Sequence, residues 1–137
     1  MEQKFLQIKL EDKDIIQVYY KRGCNSSRQT LKWFKDHSIT ISKAPIAKIS
    51  KEDIVKTLSM TDKGLEDIVK HPTRSKSETR KGILHLYELS FNEGLEYLKH
   101  NTNLLQTPIV LDDNKLLVGY NSEEIRKYLP QKYRRYH

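Results

Sequence analysis

A chain of 137 residues, 36% hydrophobic and 31% charged, is the size of one domain and long enough to bury its own core, and its apolar periodicity excludes disorder. One cysteine excludes an internal disulfide framework, no apolar run approaches a membrane span, and Met1-Glu2-Gln3-Lys4 leads into no signal-type apolar core, so a cytoplasmic protein is the simplest expectation. The net charge of +7 is local: residues 126–137 hold five basic side chains and no acidic one, and residues 70–81 hold five against Glu78, which leaves the remainder about −2. Such clustering suits a contact surface for a polyanion or an acidic partner, or else a solvated loop and tail.

Residues 1–13 carry a weak alternation, Phe5, Ile8 and Leu10 among Lys and Glu, and are read as an N-terminal extension, either a short edge strand or an unpaired arm. Ile15 to Tyr20 is an apolar run of strand type, and Gln29 to Lys35, with Leu31 and Phe34 three apart, is helical. Ile39-Thr40-Ile41-Ser42-Lys43 alternates and is β-branched, which predicts a half-buried strand ended by Pro45. Ser50 with Asp53 predicts a capping box ahead of Ile54, Val55 and Leu58. Met60-Thr61-Asp62-Lys63-Gly64 interrupts the pattern before Leu65, Ile68 and Val69 resume it, giving two short helices with a glycine at their junction. Backbone conformation or tight packing is the favoured account of Gly64, with close approach of another molecule as the alternative.

Pro72 to Gly82 is polar and basic without a clear period and is expected to be mainly loop. Ser90 with Glu93 opens a helix through Leu95, Tyr97 and Leu98 to about His100. Pro108 to Leu111 and Lys115 to Val118 flank Asp112-Asp113-Asn114, a hairpin. Asn121 and Glu124 predict a last helix carrying Ile125, Tyr128 and Leu129, stopped by Pro130. The order is β-α-β, a helical insert over about residues 50–100, then β-β-α, which makes residues 14–130 one domain between the extension and a basic tail, 131–137.

The chemistry concentrates at Cys24, on the turn between the first strand and the first helix. Its thiol there feels the positive end of the helix dipole and the unpaired N–H groups of the first turn, with Lys21, Arg22 and Arg28 nearby. A reactive thiolate and an inert, partly buried thiol are the two readings, and the turn position favours the first. Ser27, where a Cys-x-x-Cys pair would have its second sulfur, either donates to the thiolate or caps the helix, the cap being favoured. His37, His71, His85, His100 and His137 are scattered without metal-ligand spacing, and no Ser/His/Asp arrangement, carboxylate pair or phosphate loop stands out, so no metal or cofactor is expected.

The element order, with Cys24 on the first β–α turn and Pro108 opening the third core strand, resembles the thioredoxin fold. Cys24-Asn25-Ser26-Ser27, Leu58 to Gly64, Leu104 to Ile109, and Leu117 to Arg126 followed by Leu129-Pro130 together resemble the arsenate reductase (ArsC)/Spx family over about residues 15–135. The resemblance implies an α/β fold with a mixed four-stranded sheet and a helical insert. The Met-Thr-x-x-Gly and Val-Gly-Tyr-Asn segments look like the Spx branch, whose members are transcriptional regulators that bind the C-terminal domain of the RNA polymerase α subunit at stress promoters. Read across, Gly64 matches the glycine at that interface, Cys24 the first cysteine of the redox switch, Pro108 the proline held cis beside it, and Arg74 a family basic position. Two departures stand out. Ser27 removes the intramolecular disulfide, and Thr107 stands where both branches usually place an arginine, which argues against arsenate reduction.

The implied function is a regulator that docks on polymerase through Gly64, free of cofactor and monomeric when unbound. The alternatives are an ArsC-type glutathione-dependent reductase and a non-switching paralogue that competes with Spx. Arg126, Lys127, Lys132, Arg134 and Arg135 in the basic tail, with Arg74, are candidate contacts to promoter DNA within the polymerase complex, or to acidic residues of the polymerase.

Overall fold

The computed structural model describes residues 15–130. The N-terminal extension 1–13 and the tail cations Lys132, Arg134 and Arg135 lie outside the described residues.

Four strands form one mixed sheet in the order β2-β1-β3-β4, with β1 at Ile16–Tyr20, β2 at Ile41–Pro45, β3 at Ile109–Leu111 and β4 at Leu116–Val118. β1 runs parallel to β2, Ile16 opposite Ile41, and antiparallel to β3, Val18 opposite Val110; β3 pairs antiparallel with β4, Val110 opposite Leu117. Helix α1 (Asn25–Asp36) joins β1 to β2, and α2 (Lys51–Ser59), α3 (Leu65–Ile68), α4 (Ser77–Leu86) and α5 (Phe91–His100) lie between β2 and β3.

Strand periodicity splits the apolar residues between two cores. Ile16, Val18, Val110 and Leu117 point to one face, where Phe34 of α1, Ile125 and Tyr128 cover them. Tyr19, Ile109 and Leu111 point to the other, against Ile54, Ile68, Ile83, Leu86 and Leu98 of the insert. The central strands therefore serve both cores, and Val18, Ile109 and Val110 have no solvent exposure.

The caps read from the sequence are present. Ser90 and Glu93 make a complete capping box, and Ser50 accepts from the Asp53 N–H. Asp53 departs from the box, because its carboxylate accepts from the Tyr19 hydroxyl of β1 instead of reaching back to its own cap. In the hairpin, the Asp112 carboxylate accepts from the N–H groups of Asn114 and Lys115 at 2.8 and 2.7 Å.

Three expectations need correction. The second strand runs two residues later than 39–43, because Ile39 still belongs to the end of α1: its N–H donates to the Phe34 carbonyl at 3.0 Å, and Ser38 takes a positive φ of 55°. Residues 72–82 are not loop but a 3-10 turn, Pro72–Arg74, and most of α4. The first turns of α4 are polar and solvent-facing, so its apolar period shows only at Ile83 and Leu86. Gly82, which discourages a helix reading, is there for packing, since a Cβ would lie 3.1 Å from the Leu104 side chain. The last helix is a 3-10 turn, Glu124–Tyr128; Asn121 caps it as expected, accepting from the Glu123 and Glu124 N–H groups at 2.9 Å, and the 3-10 spacing buries both Ile125 and Tyr128.

Candidate functional site

The turn Lys21-Arg22-Gly23-Cys24 is closed by the Cys24 N–H donating to the Lys21 carbonyl at 3.1 Å, with Gly23 at φ 81°. Cys24 is the N-cap residue of α1, in extended conformation, and is half-buried. Burial raises its thiol pKa, and donors to the sulfur outweigh it: the Thr107 hydroxyl first, then the Ser27 hydroxyl and the backbone N–H groups of Ser27 and Ser26. The net result lies below the ordinary thiol value. The Thr107 Oγ1 stands 3.4 Å from Cys24 Sγ, and the Thr107–Pro108 bond is cis, as expected for Pro108.

Ser27 does not cap the helix, contrary to the reading favoured from the sequence. It is buried in the first turn, and its Oγ accepts the Lys21 N–H at 3.0 Å, tying the end of β1 to α1. Acceptance from Lys21 leaves the hydroxyl proton free for the sulfur, so the favoured cap reading is corrected and the donor reading is the one the geometry supports. No arginine approaches from position 107; the donor there is a neutral hydroxyl.

Nothing in the local sequence marks Lys70 as a neighbour of Cys24. Residues 68–70 run beside 104–106: Val69 bridges Leu105, the Lys70 N–H donates to the Leu104 carbonyl, and the Gln106 N–H to the Ile68 carbonyl, both at 2.8 Å. This ladder puts the half-buried Lys70 within electrostatic reach of Lys21 and Cys24. Its ammonium is depressed by burial first and then by the like charge of Lys21, while Cys24 opposes the shift. Only tertiary pairing brings Lys70 to the other two, which share one turn. Beside them a cavity of about 350 Å³ is lined by Tyr20, Lys21, Pro45, Ile46, Leu105 and Thr107.

Gly64 precedes α3 with φ 69° and ψ −127°, a conformation glycine alone adopts readily, and a Cβ there would meet nothing within 4 Å. Backbone conformation, not tight packing, is its structural requirement. Its N–H donates to Thr61 Oγ1 at 3.0 Å, and the Asp67 carboxylate accepts from the Asp62 and Lys63 N–H groups. Next to it, Leu58, Leu65, Leu86, Phe91, Leu95 and Leu98 line an apolar cavity of about 260 Å³. Phe91, unflagged by the sequence, is 62% exposed at its mouth.

Arg74 is exposed on the 72–74 turn, and Arg126 is half-buried on the last turn. The Lys127 ammonium donates to the Leu116 carbonyl, so that cation is committed to β4. The site residues thus fall into two groups, the Cys24 turn and the Gly64 surface. Four histidines have structural roles: His37 stacks on Trp33, His85 meets the Tyr97 ring, His71 accepts from the Thr73 N–H, and His100 bonds the Glu96 carbonyl. Among the described residues no group of three or more His, Cys, Asp or Glu converges as a metal site.

A family model described as "ArsC family" matches residues 19–128. A protein of Streptococcus agalactiae named "Global transcriptional regulator Spx" is 33% identical over 88% of this chain and 88% of its own. One of the same name from Lactiplantibacillus plantarum is 35% identical over 85% and 88%. Among solved structures, an ArsC-family-related protein of Bacteroides fragilis superposes with a TM-score of 0.69 at 18% identity, covering 83% of this chain and 97% of the other. An arsenate reductase of Vibrio cholerae does so with a TM-score of 0.66 at 17% identity, covering 83% and 97%. These structures establish the thioredoxin-like ArsC fold. The chain belongs to the ArsC family, and proteins named Spx are among its relatives there.

Proposed function

We propose that this protein is a Spx-type transcriptional regulator that docks on the C-terminal domain of the RNA polymerase α subunit through the surface around Gly64. The observation that carries the reading is Gly64 itself: a half-exposed turn at positive φ, with open space where a side chain would be and an apolar cavity alongside. It matches the interface glycine of the Spx resemblance, and the relatives named as Spx regulators support it. Docking places the domain at promoters, where Arg74, Arg126 and the tail cations Lys132, Arg134 and Arg135 face phosphate, in the cytoplasm and under stress. With Ser27 in place of a second cysteine, control is by abundance or by intermolecular chemistry at Cys24.

The test is calorimetric titration of the reduced protein with the isolated α C-terminal domain. Wild type binds. Gly64→Arg abolishes binding, whereas Gly64→Ala, which brings the same backbone strain without the bulk, retains it. Circular dichroism confirms that both variants are folded. A wild type that does not bind sinks the reading.

The lowered thiol pKa of Cys24 favours one second reading, a glutathione-dependent reductase of ArsC type. Absence of arsenate turnover with glutathione as reductant rules it out.

A further inference from the structure

The outer edge of β2 is bare among the described residues. β2 ends the strand order, pairs there only with β1, and leaves Ser42, Lys43 and Pro45 exposed. Such an edge presents unpaired N–H and C=O groups and recruits another strand unless something covers it. Beside it a groove of about 510 Å³ separates α1 from β2, lined by Leu31, Phe34, Ile39 and Ile41 together with Lys35 and Lys43. Ile41 packs toward Phe34 on the α1 side of the sheet, and Lys43, two residues on, shares that face. Neither Lys35 nor Lys43 makes an ion pair among the described residues.

The segment that precedes β1 arrives at one end of this edge. β1 begins at Ile16, opposite Ile41 at the start of β2, and Ile15 before it is 45% exposed. Upstream, Leu6, Ile8 and Leu10 alternate with Gln7 and Lys9, so a strand over 6–10 would carry its three branched apolar side chains on one face. Its five residues equal the length of β2. A strand beside β2 that leads into the start of β1 must run antiparallel to β2. The crossing from beyond β2 to β1 covers two strand spacings, about 10 Å, and residues 11–14 extended reach about 13 Å. That crossing holds Glu11, Asp12 and Asp14. Lys35 stands at the same end of the sheet, because α1 ends at Asp36 and β2 begins at Ile41.

We infer that residues 6–10 form a fifth strand, antiparallel to β2 on its outer edge, with Leu6, Ile8 and Leu10 seated in the groove under α1. Leu10 then lies opposite Ile41 and Ile8 opposite Lys43, and the ladder stops at Pro45, which has no N–H to give. The length of chain before β1, the place where it enters the sheet and the acids facing Lys35 single out this segment as the occupant. The added strand closes the edge to other chains and straps α1, whose N-cap is Cys24, onto the sheet. The inference is independent of the docking reading.

Nuclear Overhauser spectroscopy on the full chain tests it. Antiparallel backbone contacts join residues 6–10 to 41–44, and the Ile8 and Leu10 methyls contact the Phe34 ring. Ile8→Asp removes these contacts and speeds amide exchange in residues 41–44 about tenfold, while helix content by circular dichroism is unchanged. Lys4→Ala, outside the strand, does neither. Random-coil shifts over residues 6–10 with no contact to β2 overturn the inference, as does exchange at 41–44 that is the same in wild type and Ile8→Asp. Contacts that appear only between differently labelled molecules in a mixed sample also overturn it, since the occupant would then be a second copy.

Discussion

At Cys24 the sulfur is governed by hydroxyls and backbone amides, not by a guanidinium. Burial works against the thiolate, and four donors overcome it, with the Thr107 hydroxyl the strongest. Only the thiolate attacks an alkylating agent, so the rate rises as pH climbs through the folded-state pKa and then levels off. Thr107→Val keeps the shape and removes the donor, which destabilises the thiolate relative to the thiol. The midpoint of the iodoacetamide rate against pH therefore moves upward, and Thr107→Ser restores it. A profile unmoved by the valine variant would show that the helix end alone sets this thiol. Position 24 was legible from sequence because a cysteine between a strand and a helix has few other readings. Lys70 was not, since 46 residues of chain separate it from Cys24 and only the 68–70 ladder against 104–106 closes that gap.

Elements here are tied to the sheet by polar contacts that local rules misjudge. Ser50 and Asp53 read as a reciprocal capping box, yet the Asp53 carboxylate turns to the Tyr19 hydroxyl, linking α2 to the central strand. Burial first, and then the hydrogen bond and charge of Asp53, drive the Tyr19 phenol far above its ordinary range, so it stays a donor at every working pH. Tyr19→Phe leaves the ring packed and removes that donor, costing about 1–2 kcal/mol by denaturant titration. Asp53→Asn costs less, because an amide oxygen still accepts. The double variant is less destabilised than the sum of the two singles if the pair is coupled, and a strictly additive result would show that the contact contributes nothing. The same lesson applies to α4. Its helix was invisible because polar first turns and an interior glycine mask the periodicity, and what rewards the helix is Gly82 against Leu104, a contact that no window of local sequence contains.

The whole molecule is two cores back to back on one small sheet, and Val18, Ile109, Val110 and Leu111 are apolar on both faces, as strands covered twice must be; the mixed sheet was implied by the family resemblance, whereas its strand order was not read from the sequence. Which face each helix takes is set by long-range closure, and for the insert that closure is the segment entering β3. Besides the backbone ladder, the Gln106 side-chain amide donates to the Val69 carbonyl at 2.8 Å, so hydrogen bonds join the end of α3 to the approach to Pro108, where Thr107 in turn reaches the Cys24 sulfur. Trp33, the only tryptophan, reports the α1 core, whereas far-UV circular dichroism is dominated by the insert helices. Because β1 and β3 belong to both cores, the two signals melt together in wild type. Gln106→Ala removes one partly buried hydrogen bond, about 1 kcal/mol, and lowers the common midpoint by roughly 4 °C. If the insert were an independent unit, its signal would fall first in the variant while Trp33 kept the wild-type transition. Coincident curves instead make the Gly64 surface and the thiol turn parts of one cooperative fold, so a modification at Cys24 that loosens the turn also weakens the frame holding Gly64.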